Sequence, residues 1–184
     1  MAKSHPPAPP LAALPIRDEE GYLRAVIEVS AGSRNKYKFD PSLRGLVLHK
    51  VLPLGTSFPY CFGFIPSTLG EDGDPLDLLV LMDEPALPGT VVPCRLLGII
   101  EAEQSEGKKR IRNDRLIAVA QPTHRYRQCK KFSDISKSVI EEVERFFVFY
   151  NREQGKTFTP IARHGRSKAL AAVEQGRRAF RDRQ

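Results

Sequence analysis

The sequence predicts an α+β fold, mainly β, in which a small barrel or sandwich of short strands precedes two C-terminal helices. Two observations carry this. Segments rich in β-branched and aromatic residues recur between turn clusters as far as about residue 121. Beyond that point apolar residues recur every three or four positions, the period of a helix that buries one face.

The elements follow in order. Residues 1–15 carry Pro6, Pro7, Pro9, Pro10 and Pro15 and no periodicity, so they read as an extended, mobile, disordered arm ahead of a single domain at 16–184. Strand-like segments are expected at 24–29, 36–39, 45–52, 77–82, 90–100 and 115–120, separated by turn clusters at 30–35, 70–75 and 85–89. Ser133 or Asp134 is expected to cap a helix with Ile135, Val139, Ile140, Val143, Phe146, Phe147 and Tyr150 on its apolar side. A second helix is expected from Ser167 towards Phe180, with Leu170, Val173 and Phe180 inward. Gly176 weakens that helix, and Arg177, Arg178, Arg181 and Arg183 suit its C-terminal end.

The 184 residues, 41% hydrophobic and 28% charged, form an ordinary globular mixture that suits one domain. The longest apolar runs fall far short of the roughly 20 residues that cross a bilayer, and the prolines interrupt any secretory signal. No membrane association is expected. Cys61, Cys94 and Cys129 fit neither a disulfide framework nor a zinc knuckle, which points to reduced thiols in a cytoplasmic protein. A net charge of +7 favours polyanionic partners without choosing among nucleic acid, membranes and phosphorylated metabolites.

The stretch that carries chemistry is Glu71-Asp72-Gly73-Asp74-Pro75-Leu76-Asp77, which runs directly into the apolar residues 78–81. Carboxylates held on a tight turn can face one point, and hard oxygen donors of this kind suit magnesium. A polar hairpin turn is the plain alternative, since Asp-Gly and Asp-Pro are common turn dipeptides. A calcium loop is excluded, because Leu76 and Asp77 occupy the places of its fifth ligand and its glycine.

The flanking residues separate these readings. Val26-Ile27-Glu28, Lys36-Tyr37, Phe58-Pro59, Gly63-Phe64-Ile65-Pro66 and the aspartate turn resemble, in order and spacing, the family I soluble inorganic pyrophosphatases. Residues 116–119 and Phe146-Phe147 with Tyr150 continue the likeness, which runs from about residue 23 to 155. The resemblance implies a closed five-stranded, OB-like barrel flanked by helices. It also implies Mg2+-dependent hydrolysis of pyrophosphate to two phosphates by metal-activated water, in a protein that forms homo-oligomers. Carried over by position, Asp72 and Asp77 would be metal ligands with Glu28 as an outer carboxylate. Asp74 would be the catalytic group that orients or deprotonates water, and Lys36, Lys50, Arg115 and Tyr150 would hold the substrate.

The pattern is altered at several matched positions. Lys38 stands where the family has glutamate, Lys50 where it has arginine, Phe62 where it has tyrosine, and Asn151 where it has lysine. If Arg115 stands for the family's lysine, strand alternation puts Asn113 in place of a metal-bridging aspartate. Together these changes add about two positive charges to the site. They predict weaker metal binding, with Asp72 and Asp77 holding a reduced metal set, and anion binding supported by Lys36, Lys38, Lys50 and Arg115. A catalytically weak relative that binds pyrophosphate or polyphosphate is therefore the alternative function, and a nucleic-acid-binding barrel a further one.

Each matched residue also has a plainer account. Glu28 and Lys36 can form a surface ion pair, and Tyr150 can be the last core contact of its helix. His49, His124 and His164 read as surface or structural, and Cys61 and Cys94 as small buried hydrophobes. Arg125, Arg127, Lys130 and Lys131 around Tyr126 and Phe132 read as a solvated basic loop, with single-strand RNA binding as the competing account.

Overall fold

The computed structural model describes residues 10–183. Its centre is a ring of five strands: β1 (Leu23–Val29), β4 (Cys61–Phe64), β5 (Asp77–Leu81), β8 (Arg115–Ala120) and β6 (Val91–Glu106) pair in that order, and β6 pairs back onto β1. Closure leaves no free edge in the ring, and the expected five-stranded barrel is borne out. β5 and β8 run parallel and the other ring pairs antiparallel. Outside the ring, β2 (Asn35–Asp40) and β3 (Gly45–Val51) form a hairpin, and β7 (Lys109–Arg112) and β9 (Thr157–Gly165) pair with the far half of β6.

Alternate residues of the ring strands feed two apolar layers, as a period of two requires. Leu79, Leu81, Ile117 and Val119 join Ile140, Val143, Phe147 and Tyr150 of helix α1 (Lys137–Arg152). Leu78, Val80, Leu116 and Ala118 join Ala169 and Val173 of helix α2 (Arg166–Asp182). Four strand features lay outside the expected segments: β4, β7, β9 and the extension of β6 beyond Ile100. β4 is only four residues long, and the polar half of β6 lacks the apolar run that marks a strand in sequence.

Helix α1 begins later than expected, with Ser136 at its N-cap. Asp134 instead closes a short 3-10 turn over Phe132–Asp134, its Oδ2 accepting from the backbone N–H groups of Lys130 and Lys131. Ile135 is extended between the two, which lets its side chain join the core. Of the segment expected to be a mobile arm, residues 1–9 lie outside the described residues. Leu11–Ala13 make a 3-10 turn, Ala12 O accepts from Ser67 N–H, and Leu11 and Leu14 pack beside Val26, Phe39 and Phe64.

Gly176 has a structural reason. A Cβ there would stand 2.7 Å from Leu76 Cδ1 and 3.3 Å from Leu69 O, so glycine lets α2 press directly on the aspartate turn. Its carbonyl accepts from Leu69 N–H.

Candidate active site

Three local devices bring the chemistry-bearing residues to one end of the barrel. The first is a β-bulge. Ile27 pairs with Gly63 and Val29 with Phe62, so Glu28 is the extra residue of β1. It is buried, and its Oε1 accepts from Phe39 N–H at 3.0 Å. A surface ion pair is therefore not its setting. Burial raises its carboxyl to about 7 against the nearby Lys36 charge, with Asp77 and Asp74 adding to the rise.

The second device is the β2–β3 hairpin. Lys36 and Lys50 are cross-strand partners, and the next pair is Tyr37 with Leu48, so His49 is a bulged residue beside Lys50. Like charges directly opposite one another destabilise a hairpin unless an anion lies between them. The ammonium of Lys36 stands 5.2 Å from the ring centre of Phe62 and 5.5 Å from that of Tyr150, and that of Lys50 stands 5.8 Å from Tyr150. Lys50 also donates to Gln154 Oε1. Burial and the charges of Lys36 and Lys156 hold Lys50 below the usual lysine value, and burial with Lys50 and Lys36 does the same to His49.

The third device is the aspartate turn. Gly70 N–H donates to Asp74 O, Asp74 N–H to Asp72 Oδ1, and Gly73 holds φ +87°, a conformation that glycine adopts freely. Leu76 N–H is held by the buried Thr68 hydroxyl, which sets the entry into β5. Glu71 turns away, its Oε2 accepting from Arg112 N–H. Burial and the neighbouring Asp77 raise the Asp72 carboxyl. Parallel pairing of Leu78 with Leu116 sets Asp77 and Arg115 side by side at the starts of β5 and β8, joined at 2.6 Å.

Arg115 is 4% exposed, and its guanidinium lies 4.6 Å from the ring centre of Phe147 and 5.1 Å from that of Phe158. Its Nη1 also donates to the backbone and side-chain oxygens of Asn113. Its buried Nε–H has no acceptor among the described residues. Asn113, in the two-residue link between β7 and β8, lines the cleft, and its Nδ2 donates to Gln104 Oε1. Asp114 is directed to Ala102 N–H and Arg112 instead. Asp74 is paired with Lys38, whose Nζ lies 2.8 Å from Asp74 Oδ2. Burial works against the Lys38 charge, but the hydrogen bond and charge of Asp74 outweigh it and raise the ammonium above its usual value.

These residues line one cleft of about 780 Å³. Glu28, Lys36, Lys50, Asp72, Asp74, Asp77, Asn113, Arg115 and Tyr150 all line it, so the residues to which the resemblance gave a place in the site meet there. Tyr150 serves in both of its readings, as a core residue stacked beside Phe146 and as a wall of the cleft. Sequence reasoning missed Gln104, Glu106, Lys109, Gln154, Lys156 and Arg183, which complete the lining. Gln154, in the turn just past α1 and four residues after Tyr150, had a helical-spacing signal, whereas Lys109, Lys156 and Arg183 had none. In all, seven basic side chains and five carboxylates line the cleft. Asn151 is buried and donates to its own helix at Phe147 O.

The donor set suits magnesium bound by one or two carboxylates with water filling its other positions. Among the described residues no three His, Cys, Asp or Glu side chains are grouped to cage an ion. His164 lies elsewhere, 3.2 Å from Glu101, and Cys61 and Cys94 are buried in the core as expected. Tyr126 and Phe132 of the basic loop are partly buried against the core. No described helix is long and apolar enough to cross a membrane.

The sequence profile of the inorganic pyrophosphatases matches residues 25–181. The inorganic pyrophosphatase of Thermus thermophilus is 38% identical over 168 residues, 91% of this chain and 94% of that protein. That of Nostoc sp. is 32% identical over 171 residues, 93% of this chain and 99% of the relative. The crystal structure of inorganic pyrophosphatase from Thermus thermophilus matches with a TM-score of 0.85 at 35% identity, covering 94% of this chain and 99% of that one. The Helicobacter pylori enzyme matches with a TM-score of 0.81 at 32% identity, covering 91% and 98%. The barrel, the cleft and these likenesses agree, and the chain belongs to the family I soluble inorganic pyrophosphatases.

Proposed function

We propose that this chain is an Mg2+-dependent hydrolase that converts inorganic pyrophosphate to two phosphates in the cytoplasm. The observation that carries the reading is the meeting, in one cleft, of three aspartates from the turn with the opposed lysines Lys36 and Lys50 and with Tyr150. Fixed cations hold phosphoryl oxygens and stabilise charge that builds in the transition state.

In this reading Lys36 and Lys50 grip the substrate, and the Tyr150 hydroxyl donates to a phosphoryl oxygen. Asp74 orients a water for in-line attack and takes its proton as the new P–O bond forms and the bridging P–O bond breaks. Arg115 holds Asp77 in place and offers charge to the leaving phosphate. Asp72 and Asp77 would hold magnesium, with Glu28 behind them. Asn113 is the weakest member of that set, because its Oδ1 already accepts from Arg115. Magnesium, when bound, supplies charge neutralisation at the phosphoryl oxygens and a lowered water pKa.

Phosphate release from pyrophosphate is expected to require magnesium and to fall at least about hundredfold in Asp74→Asn, since positioned general bases contribute about 10² to 10⁴. Release at the wild-type rate from that variant, with its fold checked by circular dichroism, removes the mechanism.

One contact favours a second reading, a binder of pyrophosphate or polyphosphate with weak turnover. Lys38 occupies the carboxylate that is to accept the proton. Calorimetric binding of pyrophosphate without phosphate release would establish it. Self-association into a homo-oligomer belongs to the same proposal. It is supported by the exposed Leu43, Leu48, Val51 and Leu54 on and around the β2–β3 hairpin.

A further inference from the structure

Of the two aspartates assigned to metal, Asp77 is not free, and neither is Asp74, the proposed base. Lys38 pairs with Asp74 at 2.8 Å, and Arg115 pairs with Asp77 at 2.6 Å while also engaging Asn113. An ion arriving at either aspartate competes with a fixed cation already in hydrogen-bond contact. A phosphoryl oxygen shares those cations with Asp74 and Asp77 but need not displace either carboxylate. An ammonium has three donors, so Lys38 can keep Asp74 and still donate to an anion. Arg115 acts by its charge alone, since its Nε–H is buried and not open to the cleft. Across the cleft, the cross-strand lysines Lys36 and Lys50 lose their mutual repulsion when an anion lies between them. Seven cations against five carboxylates leave the lining net positive before any ion is added.

We propose that Lys38 and Arg115 are built-in cations that let this cleft bind the pyrophosphate anion without a divalent cation, which is then needed for turnover but not for capture. The inference rests on the pyrophosphatase reading and deepens it by reassigning part of the metal's charge to the chain. Lys38 becomes the residue that sets metal dependence. A glutamate in its place puts a further carboxylate beside Asp74 and removes an anion contact.

The test is calorimetry with imidodiphosphate, the nitrogen-bridged analogue that resists hydrolysis. It is titrated into the full chain in EDTA and again in magnesium, alongside magnesium titrated alone. The wild type is expected to bind imidodiphosphate in EDTA with a Kd within about tenfold of that in magnesium. Lys38→Glu is expected to weaken the EDTA value by at least about tenfold, the size of a charge-assisted hydrogen bond, and to tighten binding of magnesium alone. The Lys38 side chain is half exposed, so the substitution leaves the core intact, which thermal unfolding checks. Wild-type binding seen only with magnesium overturns the inference. So does a Lys38→Glu variant that matches the wild type in both titrations. If magnesium-dependent hydrolysis persists in either case, the pyrophosphatase reading stands without it. If imidodiphosphate binds under neither condition and no phosphate is released, both fall.

Discussion

Glu28 is the residue whose role depends most on where the chain puts it. In sequence it is one acid in an apolar segment, and an exposed ion pair with Lys36 is the ordinary account. The bulge in β1 turns it inward, and burial raises its carboxyl from 4.5 to about 7. The folded protein therefore keeps a proton that the unfolded chain has already lost. The resulting stability is complete below about pH 4.5 and is lost as pH rises through about 7. In EDTA, Glu28→Gln should remove this dependence. Relative to the wild type, the variant should gain about 2 to 3 kcal/mol between pH 5 and 8, read by urea unfolding at both values. Parallel pH profiles would contradict the buried-acid account. Lys38 was visible as a departure from the family pattern, but its partner was not, because Asp74 is 36 residues away along the chain.

At the scale of elements, the aspartate turn is legible in sequence and its support is not. The dipeptides that mark the turn are local, whereas its backing is the flank of α2, about a hundred residues later. Gly176 fits this geometry and only weakens the helix in isolation. In Gly176→Ala the added methyl must displace Leu76. A loss of about 1 to 3 kcal/mol is expected by analogy with other overpacked sites, together with slower phosphate release, because Leu76 adjoins Asp77. Thermal unfolding and the release assay test this, and an unchanged melting temperature would show that α2 does not bear on the turn. Arg183, at the C-terminal end of α2, donates to Gly73 O at 3.4 Å and gives the helix a second hold on the same turn.

For the whole molecule, the β2–β3 hairpin carries both the lysine pair and an apolar outer surface. Leu48 and Val51 are about half exposed and Leu54 is 85% exposed. Clustered exposed apolar groups of this kind mark interaction surfaces. Light scattering at micromolar concentration is expected to give two or more times the 20.7 kDa of one chain, and a mass of one chain would remove the proposed homo-oligomer.

By itself the sequence determined the fold class, the two helices, the aspartate turn and the identity of the acids and bases. These follow from periodicity, turn chemistry and side-chain type, all of which act over a few neighbouring residues. Only the tertiary structure decided which charges pair, that Glu28 is inside, and that Lys109, Lys156 and Arg183 reach the cleft. Those facts depend on strand register and on contacts between residues far apart in the chain. A shift of one residue in the β5–β8 pairing would separate Asp77 from Arg115 without changing a single local signal.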